Sequence, residues 1–420
     1  MSKRNLVLFI IVLVIIIIIA FAFFYFYQPK SETGVVSETI NFLADFLPFG
    51  KSKTDNTDTS TPTDISGYVP TEEVVDNTGL KKISSFPIAG YGVFSKERYK
   101  EDGGTEFAPA LRYVDRATGN IYQTFADQID ERKFSSTIIP KVYEAFFGNE
   151  TESVVMRYLK SNNKIIETYL GTLPKEYLGA DLAGTNQLTG SFLPENISDM
   201  SISSDGSSIF YLFDVGENSI GITLNLTTNE KSQVFDSPFT EWLSFYLSSE
   251  MITLTTKPSA TVPGYMYSIN PNKKDLTKIL GGINGLTTLT SPNGELVLYA
   301  DNNLSLNIFN IGTGETDSVS INTLPEKCVW NTTSDAVYCA VPKFINQVQY
   351  PDSWYQGEIS FSDEIWKINI NSGNSIKITD PTAVANGEEV DAIKLNLDKE
   401  QNYLFFVNKK DSYLWELKLN

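Results

Sequence analysis

The chain predicts an all-β fold, a seven-bladed β-propeller closed by an N-terminal strand and preceded by one transmembrane α-helix. Three observations predict it. From about residue 80 to the end, short apolar or alternating runs are separated by turn residues at roughly eight- to twelve-residue intervals. Those runs recur as a unit of four strands, repeated at roughly 40 to 65 residues, the blade of a propeller. The last unit has only three strands, and a short segment far upstream has the texture of the missing fourth.

The first element is the apolar segment 6–27, LVLFIIVLVIIIIIAFAFFYFY, which carries no charge. As a helix it spans about 33 Å, which matches the hydrocarbon core of a bilayer. Lys3 and Arg4 precede it, so residues 1–5 are expected in the cytoplasm, and the ring-rich run Phe23 to Tyr27 suits the far interface. A cleaved signal peptide is the rival reading, with Ala20-Phe21-Ala22 as the site, but the apolar run is long for that and continues past it. Either reading exports the body, and an uncleaved signal-anchor in the cytoplasmic membrane is the expectation.

Residues 28–50 form a juxtamembrane segment. Val36, Ile40, Leu43 and Leu47 fall on one helical stripe, which suits a short amphipathic helix at the membrane surface or a weakly ordered one with no partner. Residues 51–79 begin KSKTDNTDTSTPTDISGYVPTEE, polar and poor in hydrophobes, a flexible linker.

The propeller is assigned to 80–420. Ile197 opens ISDMSISSDGSSIFYLFDV and Ile283 opens INGLTTLTSPNGELVLYAD; each is a strand, a tight polar turn and a second strand rich in Tyr, Leu and Phe. WLSFYLSSEMITLTT, CVWNTTSDAVYCAVP and IKLNLDKEQNYLFFV repeat the unit less closely. Third strands end in an Asn-centred turn, as in GITLNLTTNEKSQVF and IWKININSGNSIKIT. Counting gives seven blades, the first two irregular and the last, from about Val390, one strand short. An open edge there invites aggregation. LKKIS at 80–84 resembles the outer strands SIKIT and LTKIL, and is expected to complete the last blade.

The SSDG and SPNG hairpins ahead of an aromatic strand resemble the repeats of TolB-like and other WD-repeat-like bacterial propellers, closely over 190–420 and weakly over 86–175. The wider layout, including RYVDRATGNIYQTF and YPDSWYQGEISFSDEIWKI, is similar to single-pass propeller proteins of candidate-phylum bacteria, a likeness that implies the fold and carries no activity with it.

Composition narrows the function. The 420 residues carry a net charge of −18, which repels nucleic acid and anionic headgroups. There is no histidine, which removes every Ser-His-Asp and Cys-His arrangement and the HExxH zinc site. No arginine follows Arg157, so arginines cannot be gathered from blades around the ring. No glycine-rich phosphate loop and no DxDxDG calcium loop occurs. No metal, cofactor or catalytic residue is assigned, and an enzyme is not expected.

Cys328 and Cys339 flank the hairpin VWNTTSDAVY and fall opposite each other when the strands pair about Thr332 to Asp335. In an exported protein a structural disulfide is expected, with two buried thiols as the alternative.

Four long connections stand out, near 99–107, 174–196, 255–264 and 343–363. All four are expected on one face, which entry of the tether from the other face would point away from the membrane. Loops on a rigid scaffold carry function. Tyr350, Trp354 and Tyr355 in the 343–363 loop are candidate anchors for a protein or glycan partner, or else packing that holds the loop down. The expected function is a non-catalytic binding or scaffolding module for a protein or envelope polymer. The alternative is a carboxylate-based hydrolase or lyase acting on envelope glycans, which would need two close carboxylates at the axis.

Overall fold

Each b strand must be apolar on both faces if its sheet is sandwiched between two others, and runs such as IFYL (209–212) and VVM (154–156) have that character. The computed structural model describes residues 79–419 apart from 101, 129, 161–163, 177, 179–185 and 386. The segments 1–5, 6–27, 28–50 and, save Gly79, 51–79 lie outside the described residues, among which no helix is long and apolar enough to cross a membrane.

Seven four-stranded antiparallel sheets follow one another. The chain enters through β1 (Leu80–Lys82) and then builds blade 1 from β2 (Ile88–Tyr99), β3 (Thr105–Asp115), β4 (Ile121–Phe125) and β5 (Arg132–Ser135). Blade 2 is β6 (Val142–Gly148), β7 (Ser153–Leu159), β8 (Ile166–Thr172) and β9 (Thr189–Phe192); blade 3 is β10 (Asp199–Ile202), β11 (Ser208–Val215), β12 (Asn218–Asn225) and β13 (Lys231–Ser237). Blade 4 is β14 (Trp242–Ser248), β15 (Met251–Thr256), β16 (Pro263–Ile269) and β17 (Leu276–Asn284); blade 5 is β18 (Thr287–Thr290), β19 (Leu296–Ala300), β20 (Ser305–Asn310) and β21 (Thr316–Asn322). Blade 6 is β22 (Cys328–Trp330), β23 (Ala336–Pro342), β24 (Asp363–Asn369) and β25 (Ser375–Thr379). Blade 7 is β26 (Ala392–Leu397), β27 (Tyr403–Asn408) and β28 (Leu414–Lys418), and β1 is its outer strand.

The ring therefore closes as the sequence predicts. β1 pairs antiparallel with β28 in the register Leu80 to Leu417, and buried Leu80 joins a core with Phe406, Trp415 and Leu417. First strands of neighbouring blades touch, so they line the axis. Seven apolar clusters fill the seven gaps between blades, and an eighth lies under the 343–362 loop. Burying each Leu, Ile or Phe in those gaps contributes roughly 1.5–3 kcal/mol.

Each junction also carries a polar bond across the gap. Arg112 Nη1 donates to the Thr151 carbonyl (2.8 Å), Arg157 Nη2 to that of Ile197 (2.5 Å), and the Ser244 N–H to Asp199 Oδ2 (2.6 Å). Thr255 and Thr288 hydroxyls meet at 2.6 Å, and Trp330 Nε1 donates to Leu289 O (3.2 Å). Lys327 Nζ bonds Asp391 Oδ1 (2.5 Å), and Tyr91 OH donates to Lys394 O (2.5 Å). Apolar packing alone is non-directional; these bonds add a preferred setting of each blade against the next. Blades 1 and 2 meet most tightly, since a Cβ at Gly90 would stand 2.0 Å from the Ala145 carbonyl oxygen.

Cys328 and Cys339 are cross-strand partners with Cα atoms 4.1 Å apart and form a disulfide, as expected. Trp242, Trp330 and Trp415 are buried and Trp366 is half-buried.

In this topology the a–b and c–d turns share one face, the turn face, and the b–c and d–a connections share the other, the loop face. The start of β1 lies on the turn face, where Gly79 accepts the N–H of Lys418 (3.0 Å). Only two of the four long connections meet on the loop face: 257–262, between β15 and β16, and 343–362, between β23 and β24. Residues 100–104 join β2 to β3, and 173–188 join β8 to β9, so both lie on the turn face, against expectation. The cause is the same in both blades. Their fourth strands, Arg132–Ser135 and Thr189–Phe192, are four residues long and outermost, and the latter is exposed throughout. Strands of four residues are too short to show a period, so each count slipped by one strand.

Candidate functional site

The loop face is organised by a buried cation. Lys327 ends a 3-10 turn (Pro325–Lys327) that leads into β22 and is fully buried. Its ammonium meets Asp363 Oδ2 at 2.7 Å and Asp391 Oδ1 at 2.5 Å, and donates to the Ala392 carbonyl at 3.0 Å. The faces of Trp354 and Phe361 lie 5.4 and 5.2 Å away. A buried charge survives only when paired and hydrogen-bonded, and this one has both. Burial pushes the Asp363 carboxyl up to about 6 despite Lys327. Burial acts on Asp391 as well, but there Lys327 and donors from Phe361 and Trp354 win and hold it below the usual range.

The long loop is pinned on this group. Asp391 Oδ2 accepts from Trp354 Nε1 (3.0 Å), the Phe361 N–H (3.0 Å) and Ser360 Oγ (3.1 Å). Lys409 Nζ donates to the Trp354 carbonyl (2.7 Å). Tyr350, Trp354 and Phe361 pack with Leu304 and Leu324 into the eighth cluster. The helix α1 (Asp352–Tyr355) presents Asp352, whose Oδ2 accepts the Ala260 N–H at 2.6 Å, so the blade 4 and blade 6 loops are joined over blade 5.

The sequence-chosen residues are thus divided. Tyr350 and Trp354 are 2% and 3% exposed and serve the packing of the loop, whereas Tyr355 is 38% exposed at its surface. The Tyr355 hydroxyl donates to Glu326. Cys328 and Cys339 lie beneath, in the blade 5–6 core.

Charged groups at the loop-face ends of the inner strands form the second part of the site. Glu144 on β6 pairs with Arg157 Nη1 (2.5 Å) and stands 3.8 Å from Lys394 on β26. Asp199 on β10 accepts from Ser244 N and Oγ, both at 2.6 Å. Burial pushes Glu326 up to about 7, opposed by the Tyr355 hydroxyl and Lys327 and reinforced by the charge of Asp199. Burial also raises Asp199, with Glu144 adding, and lowers Lys394 against the pull of Glu144. The Lys394 side chain is 39% exposed, so contact with water limits that lowering. Sequence reasoning passed over these four. For Glu144, Asp199 and Lys394 the signal was a charge within the first residues of an inner strand, as in VYEAF and AIKLN, while Glu326 lies in the turn just before one; none has a spacing to read, because the residues come from different blades.

The loop face also carries most of the exposed apolar surface. Of fifteen exposed large hydrophobic residues among those described, ten lie there: Ile138, Leu159, Phe192, Val215, Phe239, Val262, Phe344, Ile345, Val348 and Tyr355. Phe344 is the most exposed of all, at 81%.

No protein-family model matches the chain, and no curated protein does. Solved structures share the architecture. The chain is similar to an oligogalacturonate lyase from Vibrio parahaemolyticus, with TM-score 0.50, 10% identity, and coverage of 81% of this chain and 93% of that one. It is also similar to an oligogalacturonate lyase in complex with manganese (TM-score 0.44, 9% identity, 80% and 99% covered) and to TolB from Acinetobacter baumannii (TM-score 0.40, 10% identity, 68% and 79% covered). The first likeness shows the propeller fold; identities this low show nothing of activity.

Proposed function

We propose that the protein is a membrane-anchored, extracytoplasmic, non-catalytic binding module that docks a protein partner on the loop face of its propeller. The observation that carries this reading is the concentration of exposed apolar side chains there, ten of fifteen among the described residues, four of them (Phe344, Ile345, Val348 and Tyr355) on the loop pinned to the Lys327 group. Phe344, Ile345 and Val348, close together on one loop, are the part of that surface concentrated enough to anchor a partner. Phe344, Ile345 and Tyr355 are the anchors proposed, with Tyr350 and Trp354 beneath them as support. Gly79, the first described residue, lies on the opposite face, where its carbonyl accepts the Lys418 N–H.

The test is photo-crosslinking from position 344 in the native envelope, followed by mass spectrometry. One specific protein should be captured, and the changes Ile345→Ser and Val262→Ser, both at exposed sites, should weaken its capture. Ile376→Ser, exposed on an outer strand, should leave it unchanged. Equal capture by all three variants would sink the reading.

A second reading is favoured by Glu326. A carboxyl near 7 beside a hydroxyl donor, with Asp199 within electrostatic reach, is suited to general acid chemistry of a hydrolase or lyase on envelope glycans. Turnover of a glycan abolished by Glu326→Gln, with partner capture intact, would favour this reading.

A further inference from the structure

The ion pairs of Lys327 with Asp363 and Asp391 are the only ones among the described residues in which both side chains are wholly buried. Trp354 and Phe361 flank the ammonium and help to keep water from it. The two carboxyls that share this nitrogen have different surroundings. Asp363 Oδ2 lies 2.7 Å from Lys327 Nζ and accepts the Ala392 N–H at 2.7 Å, while Oδ1 is buried with no hydrogen-bond partner among the described residues. A carboxyl so placed favours its neutral, protonated form, and burial does push it up to about 6. Asp391 keeps Oδ1 2.5 Å from the same nitrogen and three donors on Oδ2, and Lys327 with those donors holds it ionised against burial. A lysine nitrogen, a neutral acid and a carboxylate base in mutual contact are the components of an amide condensation.

We propose that Lys327 and Asp363 become joined by an intramolecular isopeptide bond, which the folded protein forms by itself with Asp391 as the base. The ion-paired arrangement is the state from which the bond forms. Asp391 Oδ1 takes a proton from the ammonium. The freed amine adds to Asp363 Cγ, once a turn of the carboxyl presents that carbon, and the N–C bond forms. The Ala392 N–H stabilises the charge that develops on Oδ2. A second proton passes from the nitrogen, through Asp391, to the hydroxyl at Oδ1; the Cγ–Oδ1 bond breaks and one water leaves. Asp391 ends protonated, and nothing is oxidised or reduced.

The site favours both the rate and the product. Groups held in contact react as though at about 10⁵ to 10⁸ M, which offsets the cost of condensation in water. The neutral amide also replaces two buried charges and their desolvation penalty. The bond staples the turn ahead of β22 to the first residue of β24, at the base of the 343–362 loop. The Cys328–Cys339 disulfide, one residue on, already ties β22 to β23.

The experiment is peptide mapping of the full chain, purified in detergent, then denatured, reduced, alkylated and cut with trypsin. Peptide 279–343 should be found joined to 344–367, one water lighter than their sum and uncut after Lys327. In Asp391→Asn the joined product should fall at least about tenfold, with cutting after Lys327 restored. A near-ultraviolet circular dichroism spectrum like that of the natural chain shows that this variant is folded; if it is not, the natural chain alone decides. Complete cutting after Lys327 in the natural chain overturns the proposal. So does joining of 279–343 to 378–394, the peptide that carries Asp391, and so does an undiminished product in folded Asp391→Asn.

Discussion

Asp352 reaches over blade 5 to accept the backbone N–H of Ala260 at 2.6 Å, and so ties together the two long loops of the loop face. Asn302 reinforces the tie by donating to the Ala260 carbonyl at 2.9 Å. The surface proposed for docking is therefore one braced unit rather than two independent loops.

Replacing Asp352 by Ala should loosen that brace without unfolding the ring. A charge-assisted bond is worth about 1.5–3 kcal/mol, and its loss here is local. Amide hydrogen exchange should quicken across 257–262 and 343–362 while blades 1 to 3 are unchanged. Protection unaltered in both loops would show that the bond does not couple them.

Lys327→Met should be among the most damaging single changes. It leaves Asp363 and Asp391 buried without their cation, a loss of roughly 3–5 kcal/mol. Adding Asp363→Asn and Asp391→Asn removes the stranded charges and should recover part of it. Denaturant midpoints of the single and triple variants make the comparison, and a triple variant no more stable than the single one would refute the charge argument.

Leu80→Asp should open the ring. It places a charge in the blade 6–7 core and weakens the outer strand whose pairing covers the edge of β28. A lower melting temperature and concentration-dependent association in size-exclusion chromatography are expected. A monomer with unchanged melting would mean that closure is held elsewhere.

Stability should fall as pH rises from about 5 to about 8. Burial pushes Glu416 up to about 7, against the attraction of Lys81, and Asp127 and Asp398 add to the rise. A carboxyl raised on folding binds its proton more tightly in the native state than in the unfolded one. Its contribution is therefore present below the ordinary glutamate value and is lost as pH climbs through about 7. Glu326 at about 7 and Asp363 at about 6 act in the same sense. Melting temperatures across that range should decline for the natural chain and decline less for Glu416→Gln; parallel curves would exclude Glu416 as a source.

Much of the fold was legible because its signals are local. The Ser203 and Ser291 turns each fold back on themselves, with the side-chain oxygen accepting the N–H five residues on, and a sequence announces such turns. Leu80 was legible because the last blade lacked a strand and LKKIS resembled one. The outer strands of blades 1 and 2 were not, since strands of four residues are too short to leave a periodic trace. The axial charges were less legible still. Glu144, Asp199, Glu326 and Lys394 are assembled only by ring closure, and nothing in their neighbours along the chain marks them as a group. Trp354 and Tyr355 are adjacent in sequence, yet one supports the loop and the other faces solvent, a division that depends on the depth of the Asp391 pocket beneath them.

The way β1 is joined has a mechanical meaning. Its three residues run from the turn face inward along β28, so tension on the chain ahead of Gly79 pulls along the strand and loads its hydrogen bonds together, in shear. A zipper opened from one end would yield bond by bond; this clasp resists until its bonds fail at once. The short strand that shuts the propeller is also the one that takes the strain when the molecule is tugged.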